Sequence, residues 1–157
     1  MVSRYIEAIE DYKRELGDLS IFLAGGIIGC GDWQSKMTEL LSGTKLDILN
    51  PRRNNFPDKE KEPYATTIQI KWEFDHLRKA DMILFWFPKE GLCQTSLYEI
   101  GAWAMTDKPL FVGIEPGYVK EKGLTAQLSL VRPYIPIVRS LEGLSSLVWG
   151  AVKKRKR

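Results

Sequence analysis

Residues 81–87 constrain the fold more than any other part of this chain, and they read Asp-Met-Ile-Leu-Phe-Trp-Phe. After the leading aspartate, every residue is apolar, so both faces of an extended strand here would be apolar. A strand with one face in water alternates apolar and polar residues, whereas a strand covered by helices on both faces does not. The pattern therefore predicts a central parallel strand with helices packed on each side.

Shorter apolar runs recur along the chain and alternate with segments of helical length. Such alternation is typical of α/β folds, in which right-handed crossovers place helices on both faces of a parallel sheet. We therefore expect a single domain over residues 1–152, a flavodoxin-like three-layer sandwich with a five-stranded parallel sheet. The predicted strands span residues 19–24, 45–49, 81–87, 109–114 and 134–138.

Several helices are predicted between these strands. Asp32 is placed to cap a helix that runs through Leu41. The helix that ends at Lys79 is predicted to turn an apolar stripe toward the core, formed by Ile70, Phe74 and Leu77. Further helices are expected at residues 3–16 and 141–153, flanking the sheet.

Charge and cysteine content exclude several classes of function. The net charge is +3, yet residues 153–157 are all basic, so the rest of the chain is slightly acidic and does not predict a nucleic-acid-binding surface. We expect residues 153–157 to form a solvated basic tail. Cys30, Cys93 and His76 lack the spacing of a metal site, and no apolar run is long enough for a membrane span. We therefore expect a cytoplasmic protein without metal, cofactor or membrane partner.

Candidate functional residues follow the predicted strands, because ligands of such folds bind outside the carboxyl ends of the strands. The turn after the first strand contains Gly25 and Gly26, which let a ligand approach the backbone closely. This turn does not have the spacing of a P-loop or of a dinucleotide-binding glycine motif. Asn50, Arg52 and Arg53 follow the second strand, where arginine could bind a phosphate, with solvated loop charge as the alternative.

Residues 96–101, Ser-Leu-Tyr-Glu-Ile-Gly, place one carboxylate, that of Glu99, near the start of the helix after the central strand. We expect Glu99 within about the first turn, where the helix dipole and free N–H groups favour the ionised form. An ionised carboxylate directed into a pocket can attack an anomeric carbon. A glutamate that only complements the helix dipole is the alternative interpretation of the residues alone.

Taken together, these segments resemble the nucleoside 2-deoxyribosyltransferase-like family. The resemblance covers about residues 20–114 and rests on the order and spacing of several motifs. They are Leu23-Ala24-Gly25-Gly26 followed by Trp33, Asn50-Pro51-Arg52-Arg53, Trp72-Glu73 with Asp75, Ala80-Asp81, and the segment at 96–101.

The resemblance implies an enzyme that cleaves the N-glycosidic bond of a 2′-deoxynucleoside and transfers the sugar to another base with retention of configuration. It implies Glu99 as the nucleophile that forms a covalent deoxyribosyl intermediate, and Asp75 as the residue that holds the site and assists proton transfer at the leaving base. The substrate-binding residues are then Gly25, Gly26, Asp32, Trp33, Asn50, Arg52, Trp72 and Phe87. The implied partners are a nucleoside or nucleotide, a free base and further copies of the chain in a homo-oligomer.

Two features keep other functions open. Members of the family often carry another carboxylate several residues before the nucleophile, whereas Leu92, Cys93 and Gln94 supply none here. Arg52 and Arg53 suggest the related 2′-deoxynucleoside 5′-monophosphate N-glycosidases, in which water is the acceptor. A catalytically silent nucleotide-binding module is a further alternative. The last alternative function is that of an interaction domain that docks its basic tail on polyanions.

Overall fold

The computed structural model describes residues 4–53 and 63–155, except for the side chains of residues 63–66. Within these residues, six strands form one parallel sheet: β1 (Tyr5–Glu7), β2 (Leu19–Gly25), β3 (Leu46–Asn50), β4 (Met82–Phe87), β5 (Leu110–Ile114) and β6 (Ile137–Val138). The helices of the same part of the chain are α1 (Trp33–Leu40), α2 (Pro63–Lys79), α3 (Gln94–Ala104), α4 (Glu121–Val131) and α5 (Leu141–Arg155).

The strand order is β1-β3-β2-β4-β5-β6, and every pairing is parallel. Without β1, this is the flavodoxin-like order that the sequence predicts, and β1 adds a sixth strand at one edge. The chain leaves β2 for β3 on one side and continues through β4 and β5 on the other. The switch in strand order therefore lies between β2 and β4, where α/β folds of this kind bind ligands.

Along each strand, successive side chains point to opposite faces of the sheet, so the sheet contributes to two apolar layers. The prediction for β4 is confirmed, because all six of its residues are buried. One layer packs against α2, α3 and α4 and includes Phe22, Ala24, Ile83 and Phe85 from the sheet. The other packs against α1 and α5 and includes Ile21, Leu23, Leu84 and Trp86.

The predicted helix at residues 3–16 is wrong, because this segment contains β1. Asp47 of β3 is fully buried, and a buried carboxylate is costly unless it is paired. The N-terminal segment supplies its partners: Arg4 Nε donates to the Asp47 carboxylate at 3.2 Å and Tyr12 Oη at 3.0 Å. These contacts with a distant part of the chain override the local preference for a helix.

The rotation of α2 also differs from the prediction. Leu77 is buried, but Ile70 and Phe74 are 59% and 58% exposed. The buried face of α2 instead carries three side chains that contain polar groups: Gln69, Trp72 and His76. Trp72 stacks on His76 and donates its indole N–H to the carbonyl of Glu10 at 2.7 Å, so the N-terminal segment helps to fix this face inward.

The remaining helices follow the sequence more closely. Asp32 caps α1 as predicted, accepting a hydrogen bond from the backbone N–H of Ser35 at 3.1 Å. Helix α4 is not among the predicted elements, although its Leu124 and Leu128 are buried. Helix α5 continues through Arg155, so the first part of the basic run at 153–157 is helical, and residues 156–157 lie outside the described residues.

Candidate active site

A cleft of about 450 Å³ opens at the carboxyl ends of β2 and β4. Its walls come from the glycine turn after β2, Pro51 after β3, one face of α2, the loop after β4 and the first turns of α3. The polar and conformationally special residues in these walls include Gly25, Gly26, Gln69, Glu73, Cys93 and Glu99. The cleft thus lies at the switch in strand order, where the sequence predicts a ligand.

The glycine turn lines this cleft, and a side chain at either of its two leading positions would meet atoms of the protein itself. A Cβ atom at Gly25 would lie 2.2 Å from the carbonyl oxygen of Trp86, and one at Gly26 would lie 2.7 Å from the sulfur of Cys30. Real Cβ atoms do not approach this closely, so Gly25, which meets a backbone atom, requires glycine, whereas a side chain at Gly26 would need neighbouring side chains to move. The turn therefore packs closely against the protein, and its role in binding a ligand stays a prediction.

Glu99 projects from the second turn of α3 into the cleft. Its carboxyl group is partly buried and has no hydrogen-bond partner in the part of the chain that the structure describes. Burial, followed by the negative charge of Glu73, raises the pKa of Glu99 to about 8. The expectation that the helix dipole keeps Glu99 ionised is therefore wrong, because the dipole acts mainly on the first turn and desolvation exceeds it here.

Glu73 of α2 lines the same cleft, and the sequence interpretation did not select it. Its Oε1 accepts a hydrogen bond from Gln69 Nε2 at 2.7 Å, one helical turn earlier. A signal for this residue was present in the sequence, because Gln69 and Glu73 are a polar pair at positions i and i+4. The predicted apolar stripe of α2 hides this pair, because it turns the wrong face of the helix toward the core.

The cleft thus holds two carboxyl groups close enough for the charge of one to raise the pKa of the other. Two such groups can divide the roles of nucleophile and acid between them, as in enzymes that act on glycosidic bonds. The Cys93 thiol in the same wall is not a competing nucleophile, since burial raises its pKa to about 12 and keeps it protonated.

Comparison with known protein families agrees with this geometry. A family model described as nucleoside 2-deoxyribosyltransferase like matches residues 18–118, which is more than half of the chain. The chain belongs to the nucleoside 2-deoxyribosyltransferase-like family. The matched region extends from the start of β2 to Tyr118, and so includes the glycine turn, Glu73 and Glu99. A comparison with curated proteins gives no match.

In this deoxyribosyltransferase-like protein, Asp75 does not line the cleft. It lies two residues beyond Glu73, and two helical residues span about 200° around the axis. Asp75 instead accepts a hydrogen bond from Lys71 Nζ at 2.7 Å on the outer side of α2, and this bond lowers its pKa. The structure therefore does not bring Asp75 and Glu99 together, and Glu73 occupies the place expected for Asp75.

Asn50 and Arg52 organise the loops around the cleft and do not line it. Arg52 donates from its Nη2 atom to three carbonyl groups of the glycine loop, at 3.0 to 3.1 Å, and from Nε to Gln34 at 2.9 Å. It also lies 3.6 Å from the Asp32 carboxylate, which caps α1. Asn50 Oδ1 accepts a hydrogen bond from the Arg52 backbone N–H at 2.9 Å. Arg52 therefore holds the shape of the loop.

The aromatic residues predicted to bind substrate are parts of the core. Trp33 is buried and donates its indole N–H to the carbonyl of Gly26 at 2.8 Å, so it supports the glycine turn from behind. Trp72 packs against His76 and Phe22 beneath α2. Phe87 is fully buried between Phe85 and Tyr118. Their large apolar area stabilises the sheet layers.

The loop after β4 brings further residues to the cleft. Cys93 is the N-cap of α3 and adopts a left-handed backbone conformation with φ of 52°, which is uncommon for residues other than glycine. Glu90 in this loop lines the cleft and supplies a carboxylate, whereas Leu92, Cys93 and Gln94 supply none.

In the described parts of the chain, no group of three or more His, Cys, Asp or Glu residues could hold a metal ion. No helix there is long and apolar enough to cross a membrane.

Proposed function

We propose that this protein cleaves the N-glycosidic bond of 2′-deoxynucleosides and transfers the deoxyribosyl group to another base. The observation that carries this proposal is the pair of carboxyl groups, Glu73 and Glu99, facing one cleft at the switch in strand order. Membership of the nucleoside 2-deoxyribosyltransferase-like family supports the same reaction class. The roles of the individual residues follow from their protonation and position.

In the first step, a carboxylate oxygen of Glu99 forms a bond to C1′ of the sugar while the bond from C1′ to the base nitrogen breaks. The electron pair of that bond passes to the base, which takes up the proton held by the Glu73 and Glu99 pair. We assign the delivery of this proton to Glu73, which leaves Glu99 ionised for attack. The product is a deoxyribosyl ester of Glu99 and a free base.

In the second step, a nitrogen of the incoming base attacks C1′ and displaces the Glu99 carboxylate. Two displacements at one carbon restore the original configuration, so the new nucleoside has the same anomeric form as the substrate. The proton released by the incoming base returns to Glu73. A 2′-deoxy sugar suits this route, because no hydroxyl next to C1′ destabilises the positive charge that develops there.

The protonation of the pair sets the pH at which it can work. With a pKa of about 8, raised by burial and then by the negative charge of Glu73, Glu99 holds a proton in the free protein at neutral pH. Binding of a base that accepts a proton redistributes this proton within the pair. A single shared proton therefore serves both the departure of the base and the attack by Glu99.

A hydrolase acting on 2′-deoxynucleoside 5′-monophosphates is the second candidate, and one observation favours it. Gln94, Thr95 and Ser96 form the first turn of α3 and line the cleft, and no side chain caps this helix. Free N–H groups at a helix start can bind a phosphate. Against this candidate, no lysine or arginine among the described residues lines the cleft, and Arg52 is bound to carbonyl groups.

A homo-oligomeric assembly belongs to the same proposal. Apolar side chains that a monomer would leave in water lie on and beside the outer faces of α3 and α4, including Tyr98, Met105, Leu130 and Tyr134. Extended exposed apolar patches mark association surfaces. The two free cysteines fit a reducing, cytoplasmic location.

The test is to incubate the protein with 2′-deoxyadenosine and free cytosine and to separate the products by chromatography. Appearance of 2′-deoxycytidine supports the transferase, and release of adenine alone supports a hydrolase. The same incubation with 2′-deoxyadenosine 5′-monophosphate tests the second candidate. Absence of any product, together with ligand-dependent thermal stabilisation, would instead identify a silent binding module.

Variants at three carboxylates separate the proposed roles. Glu99→Gln is expected to abolish base release, and Glu73→Gln to slow it by about 10²- to 10⁴-fold, the usual contribution of a proton donor. Asp75→Asn is the matched control on the same helix, and we expect it to retain wild-type activity because Asp75 lies outside the cleft. Equal losses in the Asp75 and Glu73 variants would contradict the assignment of Glu73.

A further inference from the structure

We propose that Gln69 determines base specificity, and that its amide oxygen accepts a hydrogen bond from an amino group next to a ring nitrogen of the base. The cleft then prefers bases such as adenine and cytosine over bases that carry a carbonyl oxygen at the same place. This proposal rests on the proposed function, because it uses the position of the leaving base beside Glu73.

Gln69 lies in the cleft wall with one polar atom unsatisfied. The residue is 3% exposed, and its amide oxygen is buried without a hydrogen-bond partner among the described residues. Buried amide groups are nearly always hydrogen-bonded, because an unpartnered one has lost its water without compensation. The oxygen is covered in the free protein, so a ligand donor reaches it when the covering side chains move aside, and a donor placed there removes that deficit.

The orientation of the Gln69 amide is fixed by its two neighbours. Its nitrogen donates to the carbonyl oxygen of Pro51 at 2.8 Å and to Oε1 of Glu73 at 2.7 Å. Both neighbours are acceptors, so rotating the amide by half a turn would set its oxygen against two other oxygens. Gln69 therefore presents an acceptor and cannot change to a donor without losing both bonds.

This arrangement places an acceptor next to the proposed proton donor. When Glu73 protonates a ring nitrogen of the base, the group beside that nitrogen faces Gln69, because the two side chains are hydrogen-bonded to each other. In adenine an amino group lies beside N7 and in cytosine one lies beside N3, and either can donate to the Gln69 oxygen. In hypoxanthine and guanine a carbonyl oxygen lies beside N7, and it would meet the Gln69 oxygen as acceptor against acceptor. Uracil and thymine offer Glu73 no ring nitrogen to protonate, because their N3 already carries a hydrogen.

The experiment compares 2′-deoxyadenosine with 2′-deoxyinosine, which carries a carbonyl oxygen in place of the amino group. Dissociation constants are measured by calorimetry, and rates of base release by chromatography. We expect 2′-deoxyadenosine to bind about tenfold more tightly, the effect of one hydrogen bond made against one left unmade. Equal binding of the two nucleosides by the wild-type protein would overturn the proposal. Release of base from both nucleosides at equal rates would overturn it too, while the proposed function would stand.

Two variants test whether Gln69 causes the preference. In Gln69→Leu the acceptor is removed, so the preference should fall close to onefold. Gln127→Leu is the control and should keep the preference, because Gln127 is an exposed glutamine of α4 that does not line the cleft. A preference that survives in Gln69→Leu would contradict the proposal. Tighter binding of 2′-deoxyadenosine without base release from either nucleoside would support the specificity and reject the proposed function.

Discussion

Replacing Glu99 by glutamine is expected to stabilise the folded protein at neutral pH, although it removes the proposed nucleophile. In the folded state the pKa of Glu99 is about 8, against an ordinary value of 4.5. Ionising this side chain is therefore harder in the folded protein than in the unfolded chain. Glutamine has the shape of the protonated acid and never ionises, so the variant avoids this cost.

The magnitude follows from the two pKa values. Between pH 4.5 and about 8 the folded state binds one more proton at Glu99 than the unfolded state does, so the free energy of unfolding falls as the pH rises. The loss is about 1.4 kcal/mol per pH unit. It accumulates to about 3 kcal/mol at pH 7, which is an upper limit because Glu99 is partly exposed and water screens its charge.

Urea unfolding at a series of pH values from about 5 to about 8 measures this difference. The stability gap between Glu99→Gln and the wild-type protein should be small at the acidic end and widen steadily toward the alkaline end. Glu39→Gln is the control, because Glu39 is an exposed glutamate of α1. A gap that stays constant over the whole range would refute the idea that Glu99 is neutral in the folded protein at pH 7.

Three other predictions test the site and its surroundings. The kcat/KM for base release should fall as the pH rises through about 8, where the carboxyl pair loses its shared proton. In Glu73→Gln this fall should move to lower pH. A kcat/KM that increases through pH 8 would mean that no such proton is needed. Gly25→Ala should lower the unfolding free energy by about 1–3 kcal/mol in urea unfolding, since its Cβ would meet the Trp86 carbonyl oxygen, and an unchanged midpoint would contradict this close approach. Arg52→Met should cost about 1.5–3 kcal/mol in the same assay through its lost hydrogen bonds, yet leave the ratio of kcat/KM for nucleoside and 5′-monophosphate unchanged; a selective loss with the monophosphate would show that Arg52 binds phosphate.

The parts of the fold that depend on local patterns were predictable. The apolar run of β4, the glycine turn after β2 and the cap at Asp32 each depend on a few neighbouring residues, and the structure contains all three. The N-terminal segment was not predictable in this way. Its strand β1 pairs with β3, and its Arg4 binds Asp47, so its conformation is set by contacts with residues far along the chain.

The candidate site was predictable in position but not in detail. The rule that ligands bind at the carboxyl ends of parallel strands places Glu99 and the glycine turn at one cleft, and they do lie together. The same rule does not separate residues that line the cleft from residues that support it. Arg52 and Trp33 have the chemistry of ligand-binding residues, but carbonyl groups of the glycine loop occupy their donors.

The sequence by itself therefore determined the layered α/β fold and the edge of the sheet at which Glu99 lies, because these depend on apolar periodicity and on where strands end. Only the tertiary structure decided that Glu73, and not Asp75, faces Glu99. The rotation of α2 depends on which face is buried, and Trp72, His76 and the N-terminal segment set it. Only the structure, too, accounts for the raised pKa of Glu99, since desolvation depends on how the whole chain packs around a carboxyl group.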